Sequence, residues 1–224
     1  TTNLLHTARL SVSQQLFKDW FKQMAIQPLF LGNWKMNMLN AEVRAFAEQF
    51  LALFKPTSNG VADTGFAPPF TSIATASQLF KGEKGILVGA QNAHWLDSGA
   101  HTGEVSIPML EEQGVKFVIV GHSERRQFYG ETDSNVAKRA KAVIARGLTA
   151  VVCIGETKDE FEAGKTSAVV EKQLAGSLSG LTTEDCAHLV VAYEPVWAIG
   201  TGLAATPEIA ANVHNEIRKG LTTR

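Results

Sequence analysis

The chain reads as an α/β protein built on a parallel sheet, and three features of its 224 residues carry that reading. Six short apolar runs recur along it, at 29–31, 61–67, 86–90, 116–120, 149–154 and 189–193. Several are apolar at nearly every position, the pattern of strands buried on both faces in a parallel sheet. Strand-like and helix-like segments alternate with short connections, as right-handed βαβ units require. Glycines gather at the ends of the apolar runs, where turns punctuate such chains.

The helices follow from spacing and end signals. Over 41–54, Val43, Phe46, Ala47, Phe50, Leu51 and Phe54 fall at steps of three and four and form one apolar stripe, with Asn40 as its N-cap. The same spacing predicts a helix over 134–146 ending at Gly147, and another over 167–178. The last runs over 207–219, with Thr206 as N-cap and Pro207 at the first helical position. No linker or composition shift divides 29–224, so that stretch is expected to be one domain. Residues 1–28 form an extension: Leu16, Phe17, Trp20, Phe21 and Met24 share one helical face, and Arg9, Lys18 and Lys22 outnumber Asp19. An acid-poor amphipathic start has two readings, a helix docked on the domain or on a partner, and an organelle transit sequence.

Composition excludes several classes of function. With 21 Lys+Arg against 22 Asp+Glu the formal net charge is -1, which leaves no basic footprint for nucleic acid or anionic membranes. No long uncharged apolar run spans a bilayer. At 45% hydrophobic the chain buries a sizeable core. Cys153 and Cys186 form no metal-ligand spacing or disulfide framework, which fits a reducing, cytoplasmic setting.

Chemistry is expected where the strands end, because parallel sheets gather their sites at the carboxyl edge. Four polar clusters fall there: 33–37 (NWKMN), 121–126 (GHSERR), 153–157 (CIGET) and 193–197 (YEPVW). Alternation along extended backbone sends Asn33 and Lys35 to one side, and likewise His122 and Glu124. One pocket then holds an amine, an imidazole and two carboxylates. Each also has a plainer reading, as a scaffolding histidine or a solvated surface charge. His122 and Glu124 lack a third ligand at metal spacing, so no metal is expected. The stretch 162–166 (EAGKT) resembles the tail of a phosphate-binding P-loop, but Asp159 stands where its first glycine belongs. After Glu194, the small residues of 198–205 suit a lid that closes over a site and excludes water.

The motifs NWKMN (33–37), GAQNAHW (89–95), GAHTGEVS (99–106), GHSERR (121–126), CIGE (153–156) and YEPVWAIGTG (193–202) closely resemble the triosephosphate isomerase family, over about 29–221. The resemblance implies a TIM-type (β/α)8 barrel that interconverts dihydroxyacetone phosphate and glyceraldehyde 3-phosphate through an enediol(ate), without a cofactor. By that match Glu194 is the base that shuttles the carbon-bound proton, His122 the neutral imidazole that polarises the carbonyl, and Lys35 the cation beside the substrate's charge. Asn33, Glu124 and Cys153 match supporting positions. Lys35 and Gly200 match phosphate contacts. Pro195, Val196, Trp197, Ala198, Ile199, Gly200, Thr201, Gly202, Leu203, Ala204 and Ala205 match the closing lid. A homodimer is implied too, with Thr102, Glu104 and Arg125 at the contact and Thr102 approaching the partner subunit's Asn33. His101 stands where the family commonly has Phe.

The chain also departs from the family. Six βα units are present where the barrel has eight, and nothing matches the glycine-rich phosphate loops after strands seven and eight. Three missing charge-assisted hydrogen bonds correspond to about 5 to 9 kcal/mol, so little activity is expected from a chain that stops at Arg224. Leu203 and Ala204 replace the usual Lys and Thr of the lid. The expectation is therefore an isomerase of this family, set against a shortened relative that serves as a structural or interaction module through exposed sheet edges.

Overall fold

The computed structural model describes residues 28–54, 62–199 and 202–222. The amphipathic segment 1–27, Gly200 and Thr201 lie outside the described residues. The order is β1 (Leu29–Asn33), α1 (Asn40–Leu53), β2 (Asp63–Ala67), α2 (Phe70–Leu79), β3 (Ile86–Ala90), α3 (Ile107–Glu112), β4 (Phe117–Val120), α4 (Ser123–Phe128), α5 (Asp133–Ala145), β5 (Thr149–Ile154), α6 (Lys158–Glu162), α7 (Thr166–Ser177), β6 (Leu189–Tyr193) and α8 (Pro207–Thr222). Short 3-10 turns at Glu184–His188 and Val196–Ala198 flank β6.

The strands pair in chain order, β1-β2-β3-β4-β5-β6, each parallel to its neighbour. They curl into a TIM-type half-barrel of six βα units. Among the described residues β1 and β6 do not pair with each other, and Phe30 on β1 is exposed. Register brings the carboxyl ends level: Asn33 lies opposite Ala67, Val120 opposite Val152, and Ile154 opposite Tyr193.

Alternation along the strands sorts the core into two layers. Val118, Val120, Ala150, Val152 and Ile154 point outward and pack under the helices with Val136, Ala140, Val143, Val170 and Leu174. Phe117, Ile119, Val151 and Cys153 point inward with Ala67 to fill the concave side. Phe117 lies under Gly65 and Gly89, where an added Cβ would come within 2.7 and 2.3 Å of its ring. Phe117 thus dictates Gly89, and it shares Gly65 with Leu31, whose Cδ2 would be 2.6 Å from the added Cβ.

On the outer side, Phe46 and Phe50 of α1 and Phe54 at its C-cap stack at four-residue spacing, and Phe46 and Phe50 meet Phe66 of β2 edge-on. The N-terminus of α1 differs from the reading of Asn40 as its cap. Leu39 is the cap, with no side-chain oxygen to offer the first turn, and its own N–H donates to Glu42 Oε2 at 2.6 Å. Thr206 caps α8 as expected, accepting from the Ile209 N–H, and Gly147 follows α5 with φ +72°.

Candidate active site

Asn33 ends β1, and its Oδ1 accepts the Lys35 N–H at 2.9 Å. Lys35 does not continue the extended backbone: it takes φ +51°, the left-handed region that non-glycine residues rarely enter. Gln91, beyond β3, secures that turn. Its Nε2 donates to the carbonyls of Lys35 and Ala67, each at 2.8 Å, and so fastens the ends of β1 and β2 together. From this backbone the Lys35 Nζ reaches Glu124 Oε1 at 2.6 Å.

His122 and Glu124 come together through a helix start, not through strand alternation. His122 is the N-cap of α4, and its Nδ1 accepts the Glu124 N–H at 3.2 Å. That bond leaves the ring proton of the neutral imidazole on Nε2, which faces Glu194 Oε1 at 2.9 Å. The other oxygen of Glu194 accepts the Ser123 N–H at 2.9 Å. The His122 side chain is 9% exposed and that of Glu194 16%, whereas Lys35 and Glu124 are each 39% exposed. A sheltered imidazole–carboxylate pair therefore sits beside a wetter amine–carboxylate pair.

Cys153 lies beneath them, facing inward. Burial, reinforced by the charge of Glu194, pushes its thiol well above the usual range and keeps it protonated. Gly155 allows the approach of β5 to Glu194, since an added Cβ would fall 1.8 Å from the Glu194 carbonyl oxygen.

The segment after Glu194 is tied down at its first residues. Glu156 is fully buried, and its Oε1 accepts from the Tyr193 hydroxyl and Trp197 Nε1 at 2.9 Å and from the Thr166 hydroxyl at 3.2 Å. Burial and the bond to Glu156 raise the Tyr193 hydroxyl pKa. The Trp197 ring also stacks on Phe161 with centroids 4.2 Å apart. Further along, Ile199 and Leu203 are exposed. Gly200, matched to a phosphate contact, lies outside the described residues.

The structure thus brings Asn33, Lys35, His122, Glu124, Cys153 and Glu194 to one sheet edge. Thr102 and Glu104 stand exposed on the loop after β3. Arg125 is half-buried, its Nε 2.8 Å from Glu131 Oε2. Sequence reasoning gave no role to Gln91, Glu156, Arg126 or Glu131, although GAQN, CIGE and GHSERR contain the first three. Among the described residues no group of three or more His, Cys, Asp or Glu side chains is placed to hold a metal ion, and no helix is long and apolar enough to cross a membrane.

The family profile described as triosephosphate isomerase matches residues 28–224. The chain belongs to the triosephosphate isomerase family. The triosephosphate isomerase of Solibacter usitatus is 50% identical over 192 residues, 86% of this chain and 76% of that protein. That of Herpetosiphon aurantiacus is 45% identical over 195 residues, 87% and 77% of the two chains. That of Streptococcus equi subsp. zooepidemicus is 42% identical over 195 residues, 87% and 76%. The chain is accordingly an enzyme with the isomerase function of the triosephosphate isomerases, and its substrate class is a triose phosphate.

Proposed function

We propose that the chain interconverts dihydroxyacetone phosphate and glyceraldehyde 3-phosphate through an enediol(ate), with Glu194 as the base and His122 as the hydrogen-bond donor to the substrate oxygen. The observation that carries this reading is the 2.9 Å contact between His122 Nε2 and Glu194 Oε1 in a sheltered pocket. Abstracting a proton beside a carbonyl needs a carboxylate on one side and a donor to the oxygen on the other. These two groups hydrogen-bond each other. A bound triose takes both bonds, the carbonyl oxygen receiving the Nε2–H and the carbon-bound proton facing the carboxylate.

With Nδ1 accepting the Glu124 N–H, the neutral imidazole carries its proton on Nε2, the tautomer this role requires. Lys35, held in its left-handed turn, supplies positive charge to the substrate, and Glu124 sets its position. Asn33 supports the Lys35 backbone, and Cys153 lines the space under Glu194. Residues 195–205 act as the lid that excludes water, with Gly200 donating its N–H to the phosphate.

We further propose that residues 29–224 work as one (β/α) domain in a cytoplasmic, glycolytic homodimer. Met36 beside Lys35 is 93% exposed and Leu96, before the loop carrying Thr102 and Glu104, is 44% exposed, apolar surface suited to a second copy.

The test is Glu194→Asp. Withdrawing the carboxylate by one methylene displaces the base and leaves the phosphate contacts alone, so kcat should fall by about a hundredfold or more while KM moves far less. An unchanged kcat would remove Glu194 from the role of base.

A further inference from the structure

Arg126 is the neighbour of the proposed catalytic machinery that the mechanism leaves unused, and its bonding is unusually distributed. Its Nε donates to the Gly121 carbonyl at 2.7 Å, and its Nη2 to the Cys153 carbonyl at 3.2 Å and Ser177 Oγ at 3.0 Å. Its Nη1 meets Asp133 Oδ1 at 2.5 Å. The two carbonyls sit at the ends of β4 and β5, whereas Asp133 opens α5 and Ser177 ends α7. One planar group therefore joins two strand ends on its inner side to two helices on its outer side.

The outer side is fixed independently of the active site. Ser177 Oγ donates to Asp133 Oδ1 at 3.1 Å, and Gly176 admits Asp133 so closely that an added Cβ would lie 2.6 Å from the Asp133 Cβ. The guanidinium plane is thus set by α5 and α7 before it meets the strands. On the inner side, Gly121 immediately precedes His122 and has φ +72°, and Cys153 lies against Glu194. The backbone atoms carrying the imidazole and those flanking the base are held by one rigid fork.

We infer that Arg126 is a positioning residue for the isomerase reaction, setting the spacing of His122 and Glu194 through the carbonyls of Gly121 and Cys153. The inference rests on the assignment of those two residues to catalysis. Arg126 touches neither of their side chains among the bonds described, so its effect passes through backbone. A lysine cannot replace it, because an ammonium is a compact point charge without the planar fork that spans both carbonyls.

The experiment compares Arg126→Lys with Ser177→Ala in the full chain, reading kcat and KM, Tm, and the His122 ring nitrogens by NMR. Ser177→Ala removes outer bonds while leaving the guanidinium on both carbonyls. The expected result for Arg126→Lys is a shifted or broadened Nε2–H signal and a kcat lower by about tenfold or more, with KM changed by less than about threefold. Ser177→Ala should lower Tm but retain the His122 signal and most of kcat. Arg126→Gln, whose amide reaches only one of the carbonyls at a time, gives the same reading if the lysine variant does not fold. A parental His122 signal in the Arg126 variants, or loss of kcat in step with Tm across both positions, overturns the positioning role. Glu194→Asp run in parallel separates the two questions. An unaffected kcat there removes the base assignment, while the His122 signal still decides whether Arg126 sets the ring.

Discussion

Gly155→Ala tests how tightly the position of Glu194 is prescribed. The new methyl carbon would lie 1.8 Å from the Glu194 carbonyl oxygen and 2.8 Å from its carbonyl carbon, both backbone atoms with no rotamer to change. Gly155 cannot readily retreat, because Gln173 grips it from the other side. Gln173 Oε1 accepts the Gly155 N–H at 2.8 Å and its Nε2 donates to the Gly155 carbonyl at 3.1 Å. Relief therefore falls on residue 194, which must move by more than about 1 Å, and if Glu194 is the base as proposed, a displacement of that size costs on the order of a hundredfold in kcat. Its 2.9 Å contact with His122 and its bond from the Ser123 N–H would both be broken. Overpacking at the strand ends should also remove about 1 to 3 kcal/mol of stability. Steady-state kinetics with kcat and KM resolved, together with denaturant unfolding, measures both effects. A variant with kcat within about twofold of the parent would show that the β5–β6 contact yields elsewhere and that it does not hold the proposed base.

Three other substitutions probe different layers. Phe117→Ala should cost about 3 to 5 kcal/mol in urea unfolding, because its ring fills the concave side under Gly65 and Gly89; a loss below about 1 kcal/mol would mean that this side is loosely packed. Glu131→Gln should destabilise by about 3 to 5 kcal/mol, since the nearly inaccessible carboxylate lies 2.8 Å from Arg125 Nε and 3.1 Å from Arg139 Nη1 and its loss leaves buried positive charge. Equal unfolding midpoints for the two chains would contradict that.

His94 gives a pH prediction: burial first, then the His101 ring tilted 4.3 Å away and the Arg139 charge, holds it below the ordinary 6.5, with Glu104 partly offsetting. The folded state thus binds fewer protons at His94 than the unfolded chain. This contribution is complete above pH 6.5 and is lost as the pH falls from there toward the lower folded-state value. His101→Phe should flatten the decline of Tm below pH 6.5, and an identical slope in both chains would exclude the imidazole pair as its source.

Sequence alone determined the repeating architecture and which polar residues gather at the strand ends. The apolar runs at 86–90, 149–154 and 189–193 are strands over those same residues, and the stripe of Val43, Phe46, Ala47 and Phe50 lies on α1. Both signals are periodic, because backbone hydrogen bonding and one-sided burial repeat along the chain and leave their period in the residue pattern. Residue type and strand-end placement also marked Asn33, Lys35, His122 and Glu194. Only the tertiary structure decided how they meet. The 89 positions between Lys35 and Glu124 close because parallel register levels the strand ends and a helix start, capped by His122, aims Glu124 back across the sheet. Gln91, Glu156 and Arg126 were visible as letters without roles, since each acts on carbonyls, hydroxyls or ring nitrogens brought to it by other strands and helices. The requirement for glycine at 89 and 155 has the same origin: it is imposed by the bulk of Phe117 and by the backbone at Glu194, neighbours in space that no local period encodes.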